Sequence, residues 1–476
     1  MDVKIGLEIH CQLTNLRTKL FCNCSSDYRG DEPNTHICPI CMGLPGTLPL
    51  LNEKALEDGV AVALALNSEI QPKMTFYRKN YFYPDMPKNF QISQFDGGDG
   101  VPIAKGGFVD LDVGRRIKIR RIQIEEDPAK LVYSGTIDTA EEVLIDYNRA
   151  GIALVEIVTE PDIRTPREAR LFLQKLRDIL EFLGVSDGSL EGSMRCDANI
   201  SLGGGTRVEI KNISSFKEVE RALRFEITRQ KRLSAEGLTV QRETRHWDES
   251  RRITVSLRVK ETEEDYRYFP EPDIMPVVVS EQYVDAVRGA LPELPHRKKD
   301  RYVEDLNVPV QNAAILSRNL RLSQLFERCV GLGADPVEAS NWIVGDLLSY
   351  LRELDLSLED PKVRAEHLVE MLRLIEDGLI SGKIAKEVLL ESLKTGKSPK
   401  RIVEERGLMK IGDEELLERL VEEVFRENRR AVLDARLNEE AVNYLIGQVM
   451  KKTAGKADPV LTSKLVRLKL SQIEVG

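Results

Sequence analysis

Four cysteines lie close together in the sequence: Cys22 and Cys24 in FCNC, then Cys38 and Cys41 in CPIC. Two short thiolate pairs joined by a loop match the ligand pattern of a tetrahedral zinc site, because each pair presents two sulfurs from one tight turn. Pro39 and Gly43 suit turns of that kind. Four thiolates close the coordination shell, so Zn²⁺ is expected here in a structural role. The spacing alone also allows four free thiols in a reducing compartment. Carboxylates form the second group. Glu8 and His10 are two apart in a strand-like run and share one face. A carboxylate beside an imidazole can bind a divalent cation. RIQIEEDPAK at 121–130 ends an apolar strand in three acids. Alternation sends Glu125 and Glu126 to opposite faces, so at most one joins a given site, and the pattern does not choose. Glu156 sits inside the apolar run Ile152 to Val158, where a buried carboxylate needs a partner. Carboxylate-rich sites suit Mg²⁺. Seen singly, each of these groups also fits a solvated strand face.

The elements that must position these groups are legible as patterns. Val3, Ile5, Leu7 and Ile9 alternate with Lys4, Gly6, Glu8 and His10, which is a half-buried strand. Thr165-Pro166-Arg167-Glu168 is a capping box that opens a helix carrying Phe172, Leu176, Ile179, Leu180 and Leu183. CDANISL, a Gly203-Gly204-Gly205 loop and TRVEIKN predict a hairpin. Its expected register sets Leu202 opposite Thr206, Asn199 opposite Glu209 and Asp197 opposite Lys211. Arg195, Asp197, Asn199 and Ser201 then share a face, either a solvated one or a sheet floor that holds a nucleotide or metal. Two further segments mix aromatic and basic residues. One carries Arg78, Lys79 and Lys88 around Tyr81, Phe82, Tyr83 and Phe90; the other carries Tyr266, Arg267, Tyr268 and Phe269. Such mixtures clamp a phosphate and stack a base, and they also occur in turns at domain faces.

Proline-rich stretches at 269–276 and 291–298 mark a boundary near residue 290. Beyond it, Asn341 to Arg352, Arg364 to Ile375 and Gly382 to Leu393 read as amphipathic helices. Gly-Lys-Ser-Pro at 396–399 breaks the pattern, and a last helical block starts at Asp413. The expectation is an α+β fold. A mixed or antiparallel sheet body at 1–290 contains the zinc module near 20–42. An all-helical domain at 291–400 and a small helical tail domain at 401–476 follow.

Composition narrows the class. The chain has 476 residues, 42% of them hydrophobic and 31% charged, with a formal net charge of −9. That supports large cores and excludes low-complexity and fibrous proteins. The longest apolar run, Val60 to Leu66, is far shorter than the roughly 20 residues of a membrane helix. MDVKIGLEIH lacks the basic and apolar regions of a signal peptide. No membrane association is expected, and the setting is expected to be cytoplasmic. Cys11 and Cys196 are expected to be small buried residues. No G-x-x-x-x-G-K-[ST] loop and no G-x-G-x-x-G fingerprint is present, so a nucleotide would bind by other means.

GLEIH, CPICMGLPGTLPLLN, RKNYFYPDMPK, QIEEDPAK, LVEIVTEPDIR, GSMRCDANISL, VEIKNISSF, DYRYFPEPD and SNWIVGDL follow one another along the chain. This series resembles the B subunit of the glutamyl/aspartyl-tRNA amidotransferase, the GatB family, over essentially the whole length. The related archaeal GatE subunit shares the catalytic motifs but carries an inserted domain, for which this chain has no room. The resemblance implies a cradle domain, a helical domain and a helical tail. It implies a ligase that uses ATP and Mg²⁺ to phosphorylate the side-chain carboxylate on mischarged Glu-tRNA(Gln) or Asp-tRNA(Asn). Ammonia then arrives through a tunnel from the glutaminase, the A subunit, while the C subunit wraps the interface. Carried onto this sequence, it makes Glu8, His10, Glu126 and Glu156 the catalytic Mg²⁺ ligands, with Glu125 as the alternative to Glu126 and Asp197 as a weaker candidate. It makes Cys22, Cys24, Cys38 and Cys41 the zinc ligands. Charge and motif membership add Lys79, Lys88, Arg195 and Lys211 as ATP phosphate contacts. No nucleophilic Cys or Ser is expected. The competing reading is a non-catalytic, zinc-containing RNA-binding scaffold.

The negative total conceals a cationic end. Residues 401–440 hold 8 Lys+Arg against 12 Asp+Glu, whereas 441–476 hold 6 against 2. Phosphate binding depends on local basic patches. Since the family's tail contacts tRNA, Lys451, Lys452, Lys456, Lys464, Arg467 and Lys469 are the expected tRNA contacts. A second basic run, GRRIKIRR at 114–121, precedes the acidic strand end.

Overall fold

The computed structural model describes residues 2–135, 140–259, 263–409, 414–435, 438–453 and 457–472. Lys456 and Asp413 lie outside them. The chain divides into two compact units, Met1–Pro295 and His296–Gly476.

The first unit is built on a thirteen-stranded sheet. The strands that matter for the site are β1 (Val3–Gln12), β2 (Phe76–Asn80), β3 (Phe90–Gln94), β4 (Arg115–Glu126), β5 (Ala153–Thr159), β6 (Met194–Leu202), β7 (Val208–Lys211), β8 (Glu243–Asp248) and β9 (Ile253–Val259). Their order across the sheet is β9-β8-β7-β6-β1-β5-β4-β3-β2. All these neighbours pair antiparallel except β7 and β8, which run parallel. The sheet is therefore mixed, and β1 lies at its middle.

Alternation along β1 gives each face its character. Ile5, Leu7, Ile9 and Cys11 are buried in one core with Ile122 and Ile124 of β4, Val155 and Ile157 of β5, and Cys196, Ala198 and Ile200 of β6. Helix α1 (Glu53–Ala65) and helix α2 (Pro166–Phe182) close this core, α2 through Phe172, Leu176, Ile179 and Leu180. Full burial of an aliphatic or aromatic side chain stabilises by about 1.5–3 kcal/mol, so this layer holds the strands in register. Thr165 caps α2 by accepting from the Glu168 amide at 3.2 Å. The Glu168 carboxylate accepts in turn from the Arg164 amide, one residue earlier than a reciprocal capping box requires. The β6–β7 ladder pairs Asn199 with Glu209 as expected, but β7 begins at Val208, so Thr206 is off the ladder.

Every regular element that the structure describes in the second unit is a helix. One core gathers Tyr302, Phe326, Trp342, Ile343, Met371, Val388 and Leu389, with Ile402 and Val403 at its end. A separate core gathers Leu417, Val421, Leu445, Val449, Leu465 and Val466, contributed by helices Glu414–Glu427, Glu439–Lys452 and Pro459–Gln472.

Candidate active site

The opposite face of the sheet is polar, and strand register decides which groups meet on it. His10 of β1 lies directly across from Glu156 of β5 and from Arg195 of β6. Glu8 lies across from Asp197. Leu154 of β5 pairs with Glu125 of β4, and Glu156 with Gln123, so Glu125 and Gln123 share the face of Glu156. His10 Nε2 is 3.8 Å from Glu8 Oε1, 3.4 Å from Glu125 Oε1 and 3.9 Å from Glu156 Oε1.

Glu8, His10 and Glu156 each offer a ligand atom within 4.8 Å of the others. Burial, reinforced by the Glu8 and Glu125 charges, raises the Glu156 carboxyl to about 7. Burial opposes ionisation of Glu8 too, but His10, Lys211, Lys79 and Arg121 outweigh it and bring that group down to about 2. Two or three carboxylates crowded around one imidazole repel one another, and a divalent cation relieves that repulsion. The donor set is mostly carboxylate oxygen, which fits Mg²⁺.

Glu126 is not part of this cluster, contrary to the expectation carried by the resemblance. It pairs with Ala153 and follows Ile122 and Ile124 onto the core-side face. There its carboxylate accepts from Lys88 Nζ at 2.5 and 2.6 Å and from the Ile92 amide at 2.8 Å. Glu125 takes the cluster position, because adjacent strand residues cannot share a face. Lys88 is likewise corrected: it is on the Glu126 side and does not reach the polar face. Of the other expected phosphate contacts, Lys79 and Lys211 line two adjoining cavities of about 730 and 590 Å³ that share Glu8 and Glu125. Arg195 and His10 line the smaller, Glu156 the larger. Lys211 donates to Asp197 at 2.7 Å, and Arg195 donates to the buried Asp127 at 2.5 Å. Asp197 is thus held by a lysine and lies outside the three-residue cation group.

Sequence reasoning missed Arg121 and Asp127. Arg121 Nη2 is 3.8 Å from Glu156 Oε2. Its signal was available, since Arg121, Gln123 and Glu125 alternate onto one face. Asp127 also accepts from Gln12 at 2.7 Å, and nothing in the local pattern marks that long-range contact.

The four cysteines do converge. Cys22, Cys24, Cys38 and Cys41 place their sulfurs within 4.8 Å of one another. The Cys38 amide donates to Cys41 Sγ at 3.2 Å, and the Lys19 ammonium is 4.0 Å from the same sulfur. The Cys22 partnership and that lysine lower the Cys41 thiol to about 5, against burial. Four clustered thiol groups, one favoured as thiolate, fit Zn²⁺. Gly43 follows in the left-handed region at φ +66°, where a Cβ would sit 2.5 Å from Lys88 Cγ. The cysteine module therefore packs on the lysine that holds Glu126. Cys11 and Cys196 are buried.

At the tail, Lys452 binds Glu423 and Glu427, Arg467 binds Glu439, and Lys469 binds Glu422. Lys451 and Lys464 are exposed. No described helix is long and apolar enough to cross a membrane.

Residues 3–285 match the family model of the GatB/GatE catalytic domain, and residues 324–470 match that of the GatB domain. The aspartyl/glutamyl-tRNA(Asn/Gln) amidotransferase B subunit of Sulfurisphaera tokodaii is 50% identical over 466 residues, covering 98% of each chain. The proteins of the same name from Saccharolobus solfataricus and Thermotoga maritima are 49% identical over 469 residues and 46% identical over 475. They cover 98% and 97% of this chain, and 99% and 98% of their own length. With both halves matched in order and half of all residues shared with such relatives, the chain belongs to the GatB family of tRNA-dependent amidotransferase B subunits.

Proposed function

We propose that this chain activates and amidates the side-chain carboxylate of glutamate or aspartate carried on mischarged tRNA(Gln) or tRNA(Asn). The observation that carries this reading is the crowding of Glu8, His10, Glu125 and Glu156 onto one face of the sheet, beside two adjoining cavities that Lys79 and Lys211 both line and whose larger one Arg121 lines as well. A bare carboxylate resists ammonia because its leaving group would be oxide. Phosphorylation by ATP replaces oxide with phosphate: the carboxylate oxygen attacks the γ-phosphorus, ADP leaves, ammonia adds to the acyl carbon, and phosphate departs.

Phosphoryl transfer depends mainly on positioning and charge neutralisation. Glu8, His10 and Glu156, with Glu125 beside them, would hold Mg²⁺, which when bound would supply positive charge to offset that of the phosphate oxygens. Lys79, Arg121, Arg195 and Lys211 add fixed cations around the cavity and keep the transferred group from drifting. Ammonia must reach the acyl phosphate unprotonated, since ammonium is not a nucleophile. The ammonia comes through a channel from a glutaminase partner, the A subunit, and the C subunit completes the heterotrimer. Zn²⁺ on Cys22, Cys24, Cys38 and Cys41 supplies structural cross-linking, and the setting is the cytoplasm. Lys451 and Lys464 lead the tail's contact with tRNA. A bare RNA scaffold would not gather carboxylates where a phosphate backbone should pass.

The test is ATP cleavage coupled to amide formation by the assembled complex on Glu-tRNA(Gln) and Asp-tRNA(Asn). Glu156→Ala should abolish amide formation while tRNA binding persists. Undiminished amidation by that variant would overturn the assignment. The isolated chain should not hydrolyse glutamine.

A further inference from the structure

The segment bearing Tyr266 and Tyr268 joins the sheet beside β2, with Phe269 facing Arg78 and Pro270 facing Tyr77. Arg78 and Lys79 leave β2 on opposite sides. On one side, Arg78 makes a two-pronged bond to Glu271, Nε to Oε2 at 2.7 Å and Nη2 to Oε1 at 2.8 Å. The Glu271 side chain is fully buried, and its carboxylate also accepts from the Asp273 amide at 3.0 Å. The Arg78 guanidinium lies 4.3 Å from the centre of the Phe90 ring. On the other side, Lys79 Nζ is 4.9 Å from the Tyr266 ring centre, and Tyr268 stacks on Phe95 at 4.1 Å and 12°.

Between the two tyrosines Arg267 sits at φ +44°, in the left-handed region that residues other than glycine seldom adopt. Such a conformation is strained and persists when its surroundings over-determine it. Here the restraints are visible. Asn80 Nδ2 donates to the Tyr266 and Arg267 carbonyls at 3.3 and 2.8 Å, and the Glu271 amide donates to the Phe76 carbonyl at 2.9 Å. The strained turn directs Tyr266 and Tyr268 into the cavity that Glu8, Glu125 and Glu156 also line.

We propose that Tyr268, backed on one face by Phe95, stacks the purine ring of the nucleotide, with Tyr266 set edge-on beside it at 63°, and that Glu271, through its clamp on Arg78, is the positioning residue that holds this wall. The inference rests on the nucleotide-dependent reading above. Aromatic rings supply a planar apolar surface for a base, and the adjacent cations and carboxylate cluster supply the phosphate end. Glu271 touches no ligand; it acts from the far face of β2.

The test measures binding by calorimetry on the assembled complex, with the imido analogue of ATP and with inorganic tripolyphosphate, which has no base. Glu271→Gln and Tyr268→Ala should each weaken the analogue by about tenfold, the usual size of a lost base stack. Tripolyphosphate should change by less than about twofold in both, and Tyr268→Phe should bind the analogue like the parent. Should Glu271→Gln fold poorly, Arg78→Lys tests the same clamp from its other end, with the same outcomes expected, while Tyr268→Ala tests the stack. Equal weakening of both probes, no weakening of either, or a loss confined to RNA ending in adenosine would overturn the proposal. A parent complex that binds the analogue but cleaves no ATP on either Glu-tRNA(Gln) or Asp-tRNA(Asn) would defeat the functional reading and leave this one standing.

Discussion

Glu125 and Glu126 are neighbours in sequence, yet they serve opposite faces of one strand: Glu125 lies 3.4 Å from His10, while Glu126 is bound by Lys88 on the core side. Identical chemistry in adjacent positions therefore has separable consequences. Glu125→Gln should lower cation affinity, read by Mn²⁺ titration, and cut amide formation by more than about a hundredfold with little change in melting temperature. Glu126→Gln should leave the Lys88 ammonium buried and unpaired, a loss of about 3–5 kcal/mol. Thermal denaturation should show the larger drop for Glu126→Gln. The reverse order would refute the assignment of faces.

Zinc removal should act on stability first. Cys38→Ser, or treatment with a strong chelator, should lower the melting temperature and zinc content together. Residual folded protein should retain its cation affinity at Glu8, His10 and Glu156. A folded, zinc-free protein of unchanged melting temperature would contradict a structural role.

In the second unit, Glu327 accepts from Lys298 at 2.6 Å and Tyr302 at 3.0 Å, and pairs with Arg301. Burial opposes ionisation, but Lys298 and Arg301 overcome it and hold the carboxyl below its ordinary value. The ionised form is thus favoured in the folded state. It contributes stability at every pH above the unfolded carboxylate value of about 4.3, and that contribution disappears as pH falls through the lowered folded value. Denaturant melts from pH 7 to pH 3 should show this acid loss in the full chain and a flatter profile in Glu327→Gln. Identical slopes would exclude the linkage.

At the tail, charge reversal should discriminate between the ion-paired Lys452 and the exposed Lys451 and Lys464. Lys451→Glu and Lys464→Glu should weaken tRNA binding across sequences and reduce the salt slope by about one each. Lys452→Glu also disrupts the bonds to Glu423 and Glu427, so it should lower stability as well. Filter binding over a salt series, with a melt beside each variant, distinguishes the two.

How much of this was readable from residues alone follows from range. The β1 alternation, the cysteine pairs and the Asn199–Glu209 register depend on periodicity and short loops, and the structure carries them as expected. The Glu125 face depends on alternation relative to Glu156, which needs the β4–β5 register; the resemblance pointed to Glu126 with Glu125 as the alternative, and the structure sets Glu126 on the other face. Asp127 with Gln12 and Arg195, and Arg78 with Glu271, join residues far apart in sequence. No local pattern encodes which distant partner a buried charge will find.

β1 sits at the centre of the sheet, but its two neighbours are supplied by residues 153–159 and 194–202. During synthesis, Glu8 and His10 emerge long before Glu156 and Arg195 exist. At roughly 5–20 residues per second, β1 waits many seconds with both edges unpaired and one face apolar. Non-local pairing of this kind folds slowly. The strand that carries Glu8 and His10 is therefore also an aggregation hazard of the nascent chain, and a stretch a chaperone would be expected to shield.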